Sequence, residues 1–285
     1  MWSERRLQLA LDNASLPVGE HAGWLPRLPA LGIGALQLSA THTWADTWHG
    51  PRASEAAHTA RQLRQAGLRC LGVRVTLDDH PGLGWFADNT ARKHTLAYLL
   101  QMSAVCRDLG GASLLIGSGR WRRGLTMPQA WRRSVDFLLL LLERMQTHGV
   151  LCCLAPLSPQ EGDFANLATD CRILADAVDH PALGLAIRSA ALADNQEMGR
   201  HAVFAAHYGR LELFIADEPG LAPLDHSGQV DHAAMRRHLA AGGYRGWVCL
   251  HQRPDADTLL PALEQLGRYY LRQDNLTLLQ RQQAG

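Results

Sequence analysis

The chain has 285 residues, 47% of them apolar, and its 28 Lys and Arg stand against 27 Asp and Glu for a formal net charge of +1. That length buries one large core as a single domain, and so even a balance sets up no field for nucleic acid or an anionic membrane. The longest greasy stretch, residues 135–142, is broken by Asp136 and falls far short of the roughly 20 residues that cross a bilayer.

Strand-like and helix-like text alternate along the chain. Residues 7–11 read as a first strand ending at Asp12, and 36–40 as a second ending near His42. Helical text over 54–66 feeds a third strand, 70–76, and 95–109 feeds a fourth, 113–116. The helix 128–147 leads to a fifth strand, 150–154, and 166–178 to a sixth, 183–187. The helix 198–208 precedes a seventh, 211–215, and 233–241 precedes the eighth, 247–250, after which a helix over 257–271 closes the ring. Eight βα units with no leftover domain predict a (β/α)8 TIM barrel over residues 1–273, with a tail at 274–285 that reads as a frayed helix or a disordered terminus.

The cysteines Cys70, Cys106, Cys152, Cys153, Cys171 and Cys249 fall mostly in apolar text with no CxxC pair, the pattern of reduced core thiols. With no signal-peptide pattern after Met1, the cytoplasm is the expected compartment. No strand is followed by GxGxxG or GxxxxGK[ST], so no nucleotide cofactor is expected.

The densest phrase is GGYRGWVCLH at 242–251: a helix closed by a glycine pair, a tight turn, and a buried strand whose last residue, His251, projects from the carboxyl end, where barrels keep their chemistry. It resembles the last βα unit of the xylose isomerase-like TIM barrels, the sugar and sugar-phosphate isomerase/epimerase superfamily, in which a "GYxGWxxxE" phrase carries a metal-binding glutamate. The resemblance is strongest over residues 150–254. It implies a divalent cation held by Glu, Asp, His and Glu from strands five to eight.

Position by position, those ligands are replaced. VLCCLAPLSP at 150–159 is similar to "xxxxEPLNP" with Ala155 in the glutamate place, and HPALGLAIRS at 180–189 is similar to "HPxxGLxLDT" with Arg188 in the aspartate place. LELFIAD at 211–217 puts Glu212 and Phe214 in the places of two histidines and keeps Asp217, while His251 stands for the last glutamate. A methyl binds no cation and a guanidinium repels one, so no metal and no other cofactor is expected. Asp79 and His80 in the phrase before Gly82 faintly resemble the zinc-binding endonuclease branch, but a polar turn explains them as well.

Two readings of function follow. In the first, Arg188 sets its guanidinium where the metal would sit and serves as electrophile, His251 is the acid or base, and Glu212 orients it, the whole acting without metal on a small carbohydrate, sugar acid or sugar phosphate. Arg188 and Asp217 would bind substrate. Trp44, Trp48, Trp85 and Trp121, in loops after strands two to four, with Arg120 beside the last, would stack on it or close over it. In the second, Arg188 folds back on Glu212 or Asp217, His251 is a hydrogen-bonded interior histidine, and the barrel is an inactive pseudoenzyme that binds a ligand or serves a partner enzyme subunit. The resemblance also implies a homodimer paired through outer helices. Neither reading involves nucleic acid or a membrane.

Overall fold

The structure is a computed structural model that describes residues 7–45, 47, 51–80 and 82–271. Short runs such as Ser113–Ile116 and Leu183–Arg188 are buried at every position, as strands covered on both faces must be. With β1 (Gln8–Asp12), β2 (Ile33–Ser39), β3 (Arg69–Val75), β5 (Leu151–Leu154), β7 (Leu211–Asp217) and β8 (Trp247–His251), these two runs, β4 and β6, form a parallel barrel in chain order. It closes where Gln8 of β1 pairs with Trp247 of β8. The architecture is the (β/α)8 TIM barrel that the alternation predicts.

Helices cover the outside and start where local chemistry allows. Asp88 accepts hydrogen bonds from the Thr90 and Ala91 N–H groups at 2.8 and 2.9 Å, so the helix Asn89–Asp108 begins well before the predicted 95. Thr126 and Gln129 make a capping box at the head of Met127–Met145. The glycine pair of the dense phrase is explained by space and backbone: a Cβ on Gly242 would lie 1.8 Å from Tyr208 Cε1, and Gly243 adopts φ +68°. Tyr244 then donates its hydroxyl to Trp247 O at 2.8 Å, pinning the turn into β8.

Three short helices were not expected, His21–Trp24, Ala40–Thr43 and Ser189–Asp194, and the last bears on the site. Ser189–Asp194 follows β6 directly, and no side chain of its preceding residue caps it. Its cap comes from β7, where Asp217 Oδ1 accepts from the Ala190 N–H at 2.8 Å. Among the described residues no helix is long and apolar enough to cross a membrane. The six cysteines are all free and buried.

The lumen is layered. Its lower part is an apolar cluster that includes Ala10, Ala35, Leu115, Ala186, Ile215 and Cys249. Because side chains alternate along a strand, the residue two further on faces the same interior nearer the carboxyl end, which places Asp12, Gln37, Gly117, Arg188, Asp217 and His251 at the mouth.

Candidate functional site

The carboxyl ends of the strands open into a cavity of about 530 Å³, lined among others by Asp12, Gln37, Arg74, Ala155, Arg188 and His251. Its ion-paired groups fall into two clusters, while Asp78, Asp79 and Arg253 line it as exposed side chains.

The first spans β1, β3 and β8. Arg74 donates from Nε to Asp12 Oδ2 at 2.6 Å and from Nη2 to Asp12 Oδ1 at 3.2 Å, a bidentate pair, and from Nη1 to Thr76 Oγ1 at 3.1 Å. Its Nη2 also lies 3.4 Å from His251 Nε2. A guanidinium only donates, so Nε2 is assigned as the acceptor and the proton goes to Nδ1. Burial, and then the Arg74 charge, push His251 down to about 3, leaving a neutral imidazole. Burial alone would raise Asp12, but the Arg74 charge leads the effects that hold its carboxyl below the usual range.

The second cluster joins β6, β7 and the loop after β5. Arg188 donates from Nε to Asp217 Oδ2 at 2.9 Å, Nη2 lies 2.9 Å from the same oxygen, and Nη1 donates to Glu161 Oε2 at 2.6 Å. The Ser158 N–H holds Glu161 Oε2 from behind at 2.9 Å. Burial works against the charge on Arg188, yet Asp217 and Glu161 outweigh it and raise its pKa.

Arg188, Asp217 and His251 are thus brought to one end of the barrel, but not into the predicted triad. Glu212 does not reach His251: it is exposed at the amino-terminal end of β7, whereas Asp217 at the other end of that strand is the residue in register with His251. Asp217 is buried behind Arg188 and acts on it rather than lining the cavity. Among the described residues, none of the candidate tryptophans closes over the mouth. Trp85 is fully buried against Phe137, Trp44 is buried beside a separate small cavity next to His42, and Trp121 is 38% exposed away from the mouth. Trp48 lies outside the described residues. Arg120 turns inward to donate to Ala155 O and Cys171 Sγ, so it offers no charge to an incoming anion. Asp79 accepts from Thr41 Oγ1 and His80 contacts Thr47 Oγ1, a polar turn.

Arg74, Glu161 and Gln37 went unnoticed in the sequence. Arg74 had a signal: a charged residue inside RCLGVRV, a strand that a barrel buries on both faces, must face the lumen or a partner. Elsewhere among the described residues, ligand atoms of Glu218, Asp225 and His232 lie within 4.8 Å of one another, close enough for one metal ion. There Glu218 Oε1 already faces His232 Nε2 at 2.9 Å and accepts from the Asp225 N–H at 3.0 Å.

Comparison with known proteins bears on this geometry. The sequence profile of the xylose isomerase-like TIM barrels matches residues 26–269. No curated protein matches the chain. Among solved structures it is similar to D-psicose 3-epimerase with D-tagatose from Clostridium cellulolyticum H10, at 14% identity and a TM-score of 0.78 over 94% of this chain and 100% of that one. A 3-keto-D-glucoside 4-epimerase from E. coli gives 14% and 0.76 over 94% and 100%, and a D-allulose 3-epimerase from Methylomonas sp. 18% and 0.73 over 94% and 91%. At such identities the likeness is one of fold.

Proposed function

The chain belongs to the xylose isomerase-like TIM barrel family, and from that premise we propose that it is a sugar-binding barrel in which ion pairs between side chains replace the family's divalent cation. The observation that carries this reading is that Arg74 and Arg188 are each held by carboxylates at the mouth.

A divalent cation fits this donor set badly. The buried carboxylates Asp12 and Asp217, and Glu161 beside them, each already hold a guanidinium, and the exposed Asp78 and Asp79 that also line the cavity belong to no group of three ligands close enough to share an ion among the described residues. The acceptor nitrogen of His251 faces Arg74, and Ala155 offers only a methyl. Any ion drawn in would meet two fixed positive charges within one small cavity.

The same pairing weakens the acid/base chemistry. A base whose conjugate acid has a pKa near 3 takes a proton poorly at neutral pH, and the Nε2 lone pair of His251 is already turned to Arg74. Arg188 spends three of its five N–H groups on Asp217 and Glu161, and those two carboxylates already balance the charge it would lend as an electrophile. The mouth is built to hold its own charges still, and a bound carbohydrate would meet a rigid, preorganised wall. The chain then acts as a ligand-binding barrel, alone or as the companion of a catalytic subunit.

The test is to titrate the protein with small ketoses while following, by proton NMR in D2O, the exchange of the hydrogen on the carbon beside the carbonyl. Binding without exchange is the expected result. Exchange that chelator abolishes would overturn the proposal in favour of the family's metal chemistry. Exchange that survives chelator and is lost in Arg188→Met would instead establish metal-free acid/base catalysis.

A further inference from the structure

We propose that Gln37 is the specificity-determining residue of the mouth and that it reads an uncharged hydroxyl; this rests on the carbohydrate-binding reading above. Gln37 stands on β2 between Asp12 and Gly72 in the strand register, lines the cavity, and is 1% exposed. Among the described residues neither its Nε2 nor its Oε1 has a hydrogen-bond partner. A buried amide that spends neither donor nor acceptor is penalised in the empty protein, and such groups are few in folded chains.

Its neighbours cannot relieve it cheaply. Asp12 is committed to Arg74 and to the Ala14 N–H, and the lumen beneath is apolar. Two further orphans line the same cavity, the Ser118 hydroxyl and Gln252 Oε1, both on buried residues. Unspent capacity of this kind converges on one space and is neutral throughout.

Charge accounting selects the ligand. The two buried guanidinium groups, Arg74 and Arg188, are met by three carboxylates, Asp12, Asp217 and Glu161, so an anion beside them finds no spare positive charge; the third guanidinium that lines the cavity, Arg253, is exposed to water, where its charge is screened. A sugar hydroxyl donates and accepts at one oxygen, the complement of a primary amide and of a serine hydroxyl. The orphaned amide is strain kept for that contact.

The experiment uses the full chain with three six-carbon probes, D-fructose, D-gluconate and fructose 6-phosphate, titrated calorimetrically into the wild type, Gln37→Met and Ser118→Ala, with melting of each protein alone. D-fructose is expected to bind more tightly than either anion. Gln37→Met should weaken it by about tenfold or more while melting no lower than the wild type, because it removes a buried polar group that has no partner. Ser118→Ala should weaken it by a smaller factor with unchanged melting. Fructose binding that ignores Gln37→Met, tighter binding of either anion, or a Gln37→Met protein that melts lower would each overturn the assignment. If none of the three probes binds the wild type, the carbohydrate reading itself falls, and the assignment falls with it.

Discussion

The floor and the mouth of the lumen stand on the same strands only two residues apart, yet they are held together by different forces. Ala10, Ala35, Ala186 and Cys249 below are small and apolar, and fill the barrel by contact. Asp12, Gln37, Arg188 and His251 above them are polar, and the charged ones stand only because each has a partner. A floor residue loses packing when it is cut back, whereas a mouth residue strands its partner. The mouth therefore behaves as a buried electrostatic lattice laid over an ordinary core, and the two layers should respond differently to substitution.

The sharpest contrast is at Arg188. Arg188→Met leaves Asp217 buried without its counter-charge and is expected to cost about 3–5 kcal/mol in denaturant unfolding. Adding Asp217→Leu should recover most of that loss, although the Ala190 N–H then loses its acceptor. A cost below about 1 kcal/mol for Arg188→Met would mean that the pair is solvated, and the contrast between layers would disappear.

In the floor, Leu115→Ala removes buried methyls and should cost about 2–4 kcal/mol. No second substitution at a single partner should rescue it, because the loss is spread over all its packing neighbours. Rescue by one enlarged neighbour would show a floor as pairwise as the mouth.

The third difference is in pH. His251 is depressed in the folded state to about 3, from an ordinary value of 6.5. The unfolded chain therefore binds the proton first, and stability falls as pH drops below about 6.5, by roughly 1–2 kcal/mol at pH 5 once partial exposure is allowed for. His251→Gln should flatten that slope in unfolding curves between pH 7 and 5, while Leu115→Ala should leave it unchanged. An unchanged slope in His251→Gln would place the titrating group elsewhere.

The smallest effect belongs outside both layers. Trp121 is 38% exposed and lines neither floor nor mouth. Trp121→Ala should change stability by no more than about 0.5 kcal/mol and leave any fructose affinity unaltered by calorimetry. A loss of affinity would return this tryptophan to the ligand site.

What the sequence made legible follows the range of the forces. Strand and helix order came from local periodicity, and the glycines at 242 and 243 marked a turn whose causes, Tyr208 and a positive φ, the structure supplies. His251 stood out because it ends a strand, and Arg188 because it takes the aspartate place in a phrase that resembles the family's. Of their partners only Asp217 was among the candidates, as one of two for Arg188; Arg74 comes from β3 and Glu161 from a loop, each far away in the chain. Glu212 was misassigned to His251 because a strand pattern gives side but not height, and this residue stands at the opposite end of β7. The helix Ser189–Asp194 was missed for the same reason, its capping carboxylate lying on another strand.

The most direct test of the ion-paired mouth is the metal content of the purified protein, followed by calorimetric titration with Mn²⁺, Co²⁺ and Zn²⁺. Arginine-held carboxylates predict substoichiometric metal, and no uptake that Asp12→Asn or His251→Gln abolishes. One equivalent of a divalent ion, lost in either variant, would contradict the account.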